Sequence, residues 1–224
     1  EKAFSLPCGT MVAASFNEEL TQRLYAFTSL EMVANKVECL LGPGMNIHRH
    51  PLNGRNFEYF SEDPFMTGKM AGACLRGLAT HGVTGTVKHF CGNNQEYSRL
   101  DVDAVISKRA LREIYLKGFE ICVKEAKPKA IMTSYNLING VYASENAELI
   151  TGILRSEWGY KGIVMTDWGN SASHKKELLA GNDVRMPYTA GTDIDEALKT
   201  GEITRNELYA SVKRVLEFIM WFDN

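Results

Sequence analysis

Asp167 is the residue of this sequence best placed to do covalent chemistry. It directly follows an apolar run from Gly162 to Thr166 that is typical of a buried strand, so its carboxylate is expected at the water-poor rim of a sheet. A carboxylate at such a rim can act as a nucleophile. The alternative is an aspartate that only caps the next helix. The neighbouring Trp168 favours the catalytic interpretation, because an indole offers an apolar face to a sugar ring.

Other candidate side chains stand just after the ends of successive predicted strands, as Asp167 does. They are Arg55 in the loop after the first strand, Lys88 and His89 at the end of the second, Arg99 in the loop that follows, and Met132 and Tyr135 at the third. In a barrel of parallel strands these positions converge on one mouth, where such enzymes keep their active sites. The convergence of several residues predicts a shared pocket more strongly than any one of them does.

Several of these residues also allow a different interpretation. Lys88 at a strand end is a position suited to the Schiff-base nucleophile of an aldolase-type barrel. The same cluster is compatible with sugar binding without turnover, and His89 alone is compatible with a hydrogen-bonded structural role. Glu58 and Glu62 are candidates to support Arg55, without a direct role of their own.

Short β-rich runs alternate along the chain with stretches of helical character. The predicted strands cover residues 37–41, 84–89, 130–134, 162–166 and 183–186. The predicted helices cover residues 17–35, 64–80, 107–127, 145–157, 171–180, 193–199 and 204–222. Asn17, Asp63, Ser107 and Thr204 are expected to cap four of these helices at their N-termini.

This order of elements predicts an α/β fold with parallel strands covered by helices. A closed eight-stranded barrel usually takes about 250 residues, and fewer than eight strands are visible here. We therefore expect residues 1–224 to form a (β/α)8 TIM-like barrel that is incomplete in this chain and lacks the region of its first strand. The alternative is an open doubly wound sheet, whose nucleotide-binding version would need a GxGxxG or Walker loop that the sequence does not contain.

Composition excludes several classes of partner. The 224 residues carry a net charge of −2, with 45% hydrophobic and 23% charged residues, so neither nucleic acid nor an anionic membrane is expected as a partner. No apolar run approaches the roughly 20 residues of a membrane span. His48 and His50 form an HxH pair without further ligands nearby, so no metal or other cofactor is expected.

The five cysteines are odd in number and include no CxxC pair, which indicates free thiols in a reducing compartment. Cys91 is interpreted as a packing thiol, because no nearby motif activates it. The sequence also contains no Asn-x-Ser/Thr acceptor, so a cytoplasmic location is expected. The N-terminus has no signal-peptide pattern and no initiating methionine, and we expect further sequence before it.

Four segments together resemble glycoside hydrolase family 3, in the order and spacing of that family. They are LLGPGMNIHRHPLNGRNFEYFSEDP (40–64), GTVKHFCGNNQEYSR (85–99), IMTSYNLINGVYASEN (131–146) and IVMTDWG (163–169). The KHFCGNNQEYSR run resembles the β-glucosidase and β-xylosidase branch. The β-N-acetylglucosaminidase branch carries a KHFPGHG-like loop instead, and this loop is absent here.

The resemblance implies a role for each candidate residue. Asp167 matches the family nucleophile, and Lys88 and His89 match the pair that binds sugar hydroxyls. Further contacts to the same sugar are implied for Arg55, Arg99, Met132 and Tyr135, and Trp168 is expected beside them. The implied activity is that of a retaining β-glycosidase, with β-glucosidase as the first expectation and β-xylosidase as the alternative. Such an enzyme releases terminal β-D-glucosyl residues by double displacement through a covalent glycosyl-enzyme and needs no cofactor.

Two family features fall outside this sequence. Members use an aspartate near the first strand, upstream of residue 1. Their acid/base glutamate belongs to an α/β-sandwich module outside the barrel, and this chain ends at Asn224, just after the helix expected to close the barrel. The expected partners are therefore a small β-glucoside or oligosaccharide and a sandwich domain or chain that supplies the glutamate.

Overall fold

The computed structural model describes residues 4–187 and 192–222, and Asn224 lies outside them. Within these residues the strands are β1 (Cys39–Leu40), β2 (Thr84–Phe90), β3 (Asp103–Ala104), β4 (Ala130–Thr133), β5 (Leu137–Ile138), β6 (Val141–Tyr142) and β7 (Ile163–Thr166). The α-helices are α1 (Gly9–Ala14), α2 (Glu18–Ala34), α3 (Pro64–Ala79), α4 (Lys108–Ala110), α5 (Lys117–Ala126), α6 (His174–Ala180), α7 (Thr192–Thr200) and α8 (Arg205–Met220). Leu111–Tyr115 and Glu148–Glu157 are π-helical, and Ala143–Glu145 is a 3₁₀ turn.

The main sheet is parallel, with strand order β1-β2-β4-β7. Each strand is joined to the next by at least one helical segment, as parallel pairing requires. The carboxyl ends of all four strands therefore lie at the same edge, which is where the candidate residues were predicted to meet. The described strands do not close into a ring, in keeping with a barrel that is incomplete in this chain.

Both faces of the sheet are covered by apolar side chains. Ile131 and Val164 point to one face and join the main core with helices α3 and α5. Met132 and Met165 alternate with them and point to the other face, where Phe218 of α8 packs against their cluster. All four residues of β4 and of β7 are buried, which explains why these strands are continuous apolar runs rather than alternating ones.

The predicted helix starts are confirmed by their caps. The side chains of Asn17, Asp63 and Ser107 accept hydrogen bonds from backbone amides in the first turns of α2, α3 and α4. Thr204 and Glu207 form the expected capping box at the start of α8. The predicted helix 107–127 is interrupted by its π-helical turn, and the predicted helix 171–180 begins later, with Ser173 at its N-cap.

The predicted strand 183–186 is wrong: this segment makes only one isolated bridge, between Val184 and Met165. Val184 still accepts a backbone hydrogen bond from Thr166, but the amide of Met186 donates to the Thr166 hydroxyl instead of continuing the ladder. The backbone amide of Asp183 donates to the Val164 carbonyl at 2.7 Å, and the Asp183 carboxylate pairs with Arg155 and Arg214, so backbone and side-chain bonds hold the segment beside β7 without a regular ladder.

A second, small sheet was not predicted. Its strand order is β3-β5-β6, with β3 parallel to β5 and β5 antiparallel to β6. It joins the loop after β2 to the loop after β4, and Asn139 reinforces the junction by bonding both the amide and the carbonyl of Ile106. Among residues 4–187 and 192–222, no helix has the length and apolarity needed to cross a membrane.

Candidate active site

Asp167 lies immediately after β7, at the carboxyl edge of the sheet, and is 9% exposed. Its Oδ1 accepts a hydrogen bond of 2.7 Å from the backbone amide of Trp168. Its Oδ2 is buried and has no hydrogen-bond partner among the described residues, although His89 Nε2 lies 3.4 Å away. Ser173, not Asp167, stands at the N-cap position of the following helix, so the capping interpretation of Asp167 is wrong.

His89 is fixed on all sides by buried neighbours. The Asn46 amide donates to the His89 carbonyl at 2.8 Å, and the His89 backbone amide donates to Asn46 Oδ1 at 2.9 Å. The Tyr59 hydroxyl lies 3.1 Å from Nδ1 and itself accepts from the Asn93 amide. Asn46 Oδ1 also lies 3.3 Å from Nδ1. With the proton on Nε2, the Tyr59 hydroxyl donates to Nδ1 and the Nε2–H faces Asp167. With the proton on Nδ1, that group would donate to Tyr59 or Asn46 and Nε2 would turn a lone pair toward the carboxylate, so the first tautomer suits Asp167 better.

The environment of His89 opposes its protonation. Burial is the largest cause that lowers its pKa well below the usual value, and the nearby charges of Arg55, Lys88 and Arg99 lower it further. The Asp167 carboxylate acts in the opposite sense, but burial and three cations outweigh one anion. His89 is therefore a neutral donor beside Asp167, not its ion-pair partner.

The three cations lie in a chain of alternating charges, which we call the charge chain: Lys88, Glu58, Arg55, Glu96 and Arg99. Glu58 Oε1 pairs with Arg55 Nε, and Glu58 Oε2 lies 3.7 Å from Lys88 Nζ. Glu96 Oε1 lies 3.9 Å from the same Arg55 Nε, and Glu96 Oε2 accepts from Arg99 Nη1 at 2.7 Å. Strand β2, which carries Lys88, and the loops after β1 and β2, which carry Arg55 and Arg99, thus present three positive groups at one edge of the sheet.

Tyr135 links the charge chain to the segment that carries Asp167. The Arg99 guanidinium lies 4.9 Å from the centre of the Tyr135 ring, and the Tyr135 hydroxyl donates to the Trp168 carbonyl at 2.7 Å. Burial first, and then the charge of Asp167, raise the pKa of Tyr135 to about 12. Tyr135 therefore keeps its proton at neutral pH and remains a hydrogen-bond donor.

Two of the predicted site residues lie at the margins of this arrangement. Met132 is buried in the apolar cluster and pairs in register with Met165, two positions before Asp167. The Trp168 side chain is 42% exposed, so its indole is open to solvent while its backbone bonds to Asp167 and Tyr135. Lys88, Arg55, Arg99, His89 and Tyr135 are brought together with Asp167 by the contacts above; their functional roles stay predictions.

Sequence reasoning missed Asn46, Tyr59, Asn93 and Glu96. These four stand inside the segments that carry the family resemblance, but their contacts depend on tertiary pairing between segments that are distant in sequence. Glu58 was named as a candidate support of Arg55, and the structure places the two side chains in contact. Glu62, the other proposed support of Arg55, is exposed and makes no ion pair among the described residues. Cys91 is buried, and burial raises its pKa to about 12, so the packing interpretation of this thiol is confirmed.

Two clefts adjoin the charge chain. One of about 210 Å³ is lined by Gly44, Glu58 and Lys88, and one of about 550 Å³ is lined by the loops that carry Asn53 and Glu96. A further cavity of about 460 Å³ lies at the opposite ends of β4 and β7, next to residues 129 and 162. Neither that cavity nor the two clefts are lined by Asp167 or His89, so the contacts described above, rather than a cleft, define the site.

The chain matches one sequence family along nearly its whole length. The family described as Glycosyl hydrolase family 3 N terminal domain covers residues 2–218. A curated Beta-glucosidase from Ruminococcus albus is 52% identical over 233 aligned residues, which cover 98% of this chain and 25% of the relative.

Two solved structures share the fold. A beta-glucosidase from Paenibacillus barengoltzii is 48% identical with a TM-score of 0.93, and the match covers 97% of this chain and 26% of that one. Beta-glucosidase 3B from Thermotoga neapolitana, solved in complex with glucose, is 42% identical with a TM-score of 0.95 over 98% of this chain and 33% of that one. These matches confirm the predicted α/β fold of TIM-like barrel type. The chain spans about a quarter of the length of the curated relative it matches.

Proposed function

The chain belongs to glycosyl hydrolase family 3, and from this premise we propose that the enzyme containing it is a retaining β-glucosidase with Asp167 as its nucleophile. The observation that carries the proposal is the state of Asp167 Oδ2. This oxygen is buried and has no hydrogen-bond partner among the described residues, next to a neutral His89 and close to three cations. A carboxylate oxygen left without a partner in such a place is free to form a bond to a substrate carbon.

In the proposed reaction, Asp167 Oδ2 attacks the anomeric carbon, and the bond from that carbon to the leaving oxygen breaks. A glutamic acid from outside this chain donates its proton to the leaving oxygen and later removes a proton from the attacking water. That water releases glucose and regenerates the carboxylate. Oδ1 stays bonded to the Trp168 amide throughout, which keeps the carboxylate oriented while Oδ2 reacts.

The remaining residues of the site would hold the sugar. Lys88, Arg55 and Arg99 supply positively charged donors for hydroxyl groups, and the neutral His89 supplies an uncharged one. The half-exposed indole of Trp168 offers an apolar face beside the nucleophile. Together these groups match a polyhydroxylated ring with one polar edge and one apolar face.

Glucose is the proposed sugar, with xylose as the alternative within the family. The relatives support glucose: those described above are named beta-glucosidases, and one was solved with glucose bound. The Schiff-base alternative has less support, because Lys88 Nζ is in an ion pair with Glu58 at 3.7 Å and the relatives described above are named beta-glucosidases. Binding without turnover is the outcome to be excluded by assay.

The proposal includes a second part of the enzyme. Since the chain covers only part of each relative, the acid/base glutamate is assigned to an α/β-sandwich domain or chain that faces the carboxyl edge of the sheet. In this proposal the nucleophile and the residues that would bind the sugar belong to the chain described here. The proton donor, and much of the preference for the leaving group, belong to the other module.

Covalent trapping tests the proposal. The complete enzyme, treated with a 2-deoxy-2-fluoro β-glucoside that carries a good leaving group, should accumulate a glycosyl-enzyme whose peptide map places the label on Asp167. The Asp167→Asn variant should take up no label. Label on any other residue would reject the assignment, and borohydride trapping of a carbonyl substrate on Lys88 would favour the aldolase class instead. Stoichiometric glucoside binding without any hydrolysis would identify a binding protein.

A further inference from the structure

Two carboxylates of the charge chain have no place in the reaction above. Glu58 and Glu96 lie behind the three cations, each contacting two of them. We propose that Glu58 and Glu96 are positioning residues that fix the directions of Lys88, Arg55 and Arg99 toward the sugar. The inference rests on the proposed function, and it adds two residues that act through others and do not touch the substrate.

The first argument is the atom by which Arg55 is held. Both carboxylates approach its Nε, Glu58 in direct contact and Glu96 at 3.9 Å. Among the described residues, no hydrogen bond or ion pair uses the two terminal Nη nitrogens of Arg55. A guanidinium gripped at Nε is fixed in direction while its terminal N–H groups stay available to a ligand.

The second argument is electrostatic. Three cations close together repel one another, and the interposed carboxylates reduce this repulsion. The side chains of Arg55, Lys88 and Glu58 are between 16% and 22% exposed, so water screens these interactions only in part. Without Glu58, Arg55 and Lys88 would lose their shared anion and be free to turn toward solvent or to separate.

The third argument is the way in which Glu58 itself is held. A Cβ added to Gly9, the first residue of α1, would lie 2.3 Å from the Glu58 carbonyl oxygen, so α1 packs directly on the Glu58 backbone. Thr10 bonds the carbonyls of Asn56 and Tyr59 on either side of it. A Cβ on Gly44 would lie 3.3 Å from Glu58 Oε2. Helix α1 and the loop after β1 thus confine Glu58 from two sides.

The proposal is tested in the complete enzyme by replacing each glutamate with glutamine, which removes the negative charge and keeps the shape of the side chain. Glu58→Gln should lower kcat/KM for p-nitrophenyl β-glucoside by roughly 10- to 100-fold, and Glu96→Gln by a smaller factor, because the Arg55 contact of Glu96 is longer. Glu58→Asp, which keeps the charge, should recover part of the loss. The matched control is Glu62→Gln, in the same loop but exposed and unpaired among the described residues, which should stay within twofold of the native enzyme.

A double-mutant cycle separates positioning from plain structural support. In an Arg55→Ala background, Glu58→Gln should cost several-fold less than it does alone, and the thermal midpoint should change little. The proposal would be overturned if the kcat/KM losses of the two single variants multiply in the double variant and the thermal midpoint falls. It would also be overturned if Glu58→Gln keeps kcat/KM within twofold of native. Glucose binding measured by calorimetry keeps the two proposals distinct. A native enzyme that binds glucose but hydrolyses no β-glucoside rejects the proposed function, while the positioning proposal still requires weaker glucose binding by Glu58→Gln.

Discussion

Asp167 Oδ2 and His89 Nε2 face each other at 3.4 Å, and each residue is anchored on its far side by backbone bonds. Asp167 Oδ1 is held by the Trp168 amide, and the two backbone polar groups of His89 are held by the side chain of Asn46. The pair is therefore positioned before any ligand arrives. Asp167 Oδ2, the reactive oxygen, and His89, the neutral residue opposite it, are therefore held next to each other at the place where the substrate is proposed to bind.

Asp167→Asn should abolish turnover while leaving the fold intact. The substituted amide can still accept the Trp168 bond through its oxygen, but it cannot attack the anomeric carbon. We expect kcat of the complete enzyme to fall by at least about 10³-fold, with glucose affinity reduced much less. Steady-state kinetics and calorimetry on the purified variant measure the two quantities. Activity within tenfold of native would place the nucleophile elsewhere.

His89 should make stability depend on pH in the mildly acidic range. Its folded-state pKa lies below the unfolded value of about 6.5, so the unfolded chain binds more protons as pH falls through that value. Stability is then full above about pH 6.5 and declines below it, by up to about 1.4 kcal/mol per pH unit for one such group. Thermal midpoints between pH 7.5 and 5 should fall less steeply for His89→Gln than for the native enzyme. The exposed His50→Gln serves as control and should keep the native slope.

Tyr135→Phe should weaken catalysis without changing its dependence on pH below about 10. The hydroxyl has a pKa of about 12 and serves as a donor to the Trp168 carbonyl, so its loss frees the segment next to Asp167. We expect kcat/KM to fall roughly 10-fold, the cost of one well-placed hydrogen bond. A pH–rate profile compared with native tests both statements. A lost alkaline limb would show that Tyr135 is itself a proton donor in the reaction.

Asn46→Ala should destabilise the protein because it removes two buried hydrogen bonds to the His89 backbone at once. The unpaired amide and carbonyl of His89 would cost about 2–4 kcal/mol of unfolding free energy. Denaturant melts of the complete enzyme measure this. Asn206→Ala, at an exposed position in the first turn of α8, is the matched control and should cost almost nothing. Equal stability of the two variants would contradict the role assigned to Asn46.

The parts of the fold that were predicted from sequence are those set by local pattern. The apolar runs of β4 and β7 predict buried parallel strands, and Asn17 before two glutamates or Asp63 before Pro64 predicts a helix start. The convergence of Asp167 with His89 followed from strand order alone, because carboxyl ends of parallel strands share an edge.

The missed features depend on contacts between distant segments. Glu58 stands three residues from Arg55 and was named as its support, but Glu96 lies on a different loop, and only the folded chain shows that it also meets Arg55. The segment 183–186 has the composition of a strand, but Asp183 is drawn into pairs with two arginines from other helices. The small sheet has strands of two residues each, too short to leave a periodic pattern.

That small sheet has a consequence for engineering this scaffold. Because β3 pairs with β5, the loop that bears Arg99 and the loop that bears Tyr135 are stapled together by backbone bonds and by Asn139. Transplanting either loop alone from a relative would break the staple and misalign both. Residues 91–106 and 134–142 should therefore be exchanged together, and variant libraries that aim to alter sugar preference should vary both segments at once.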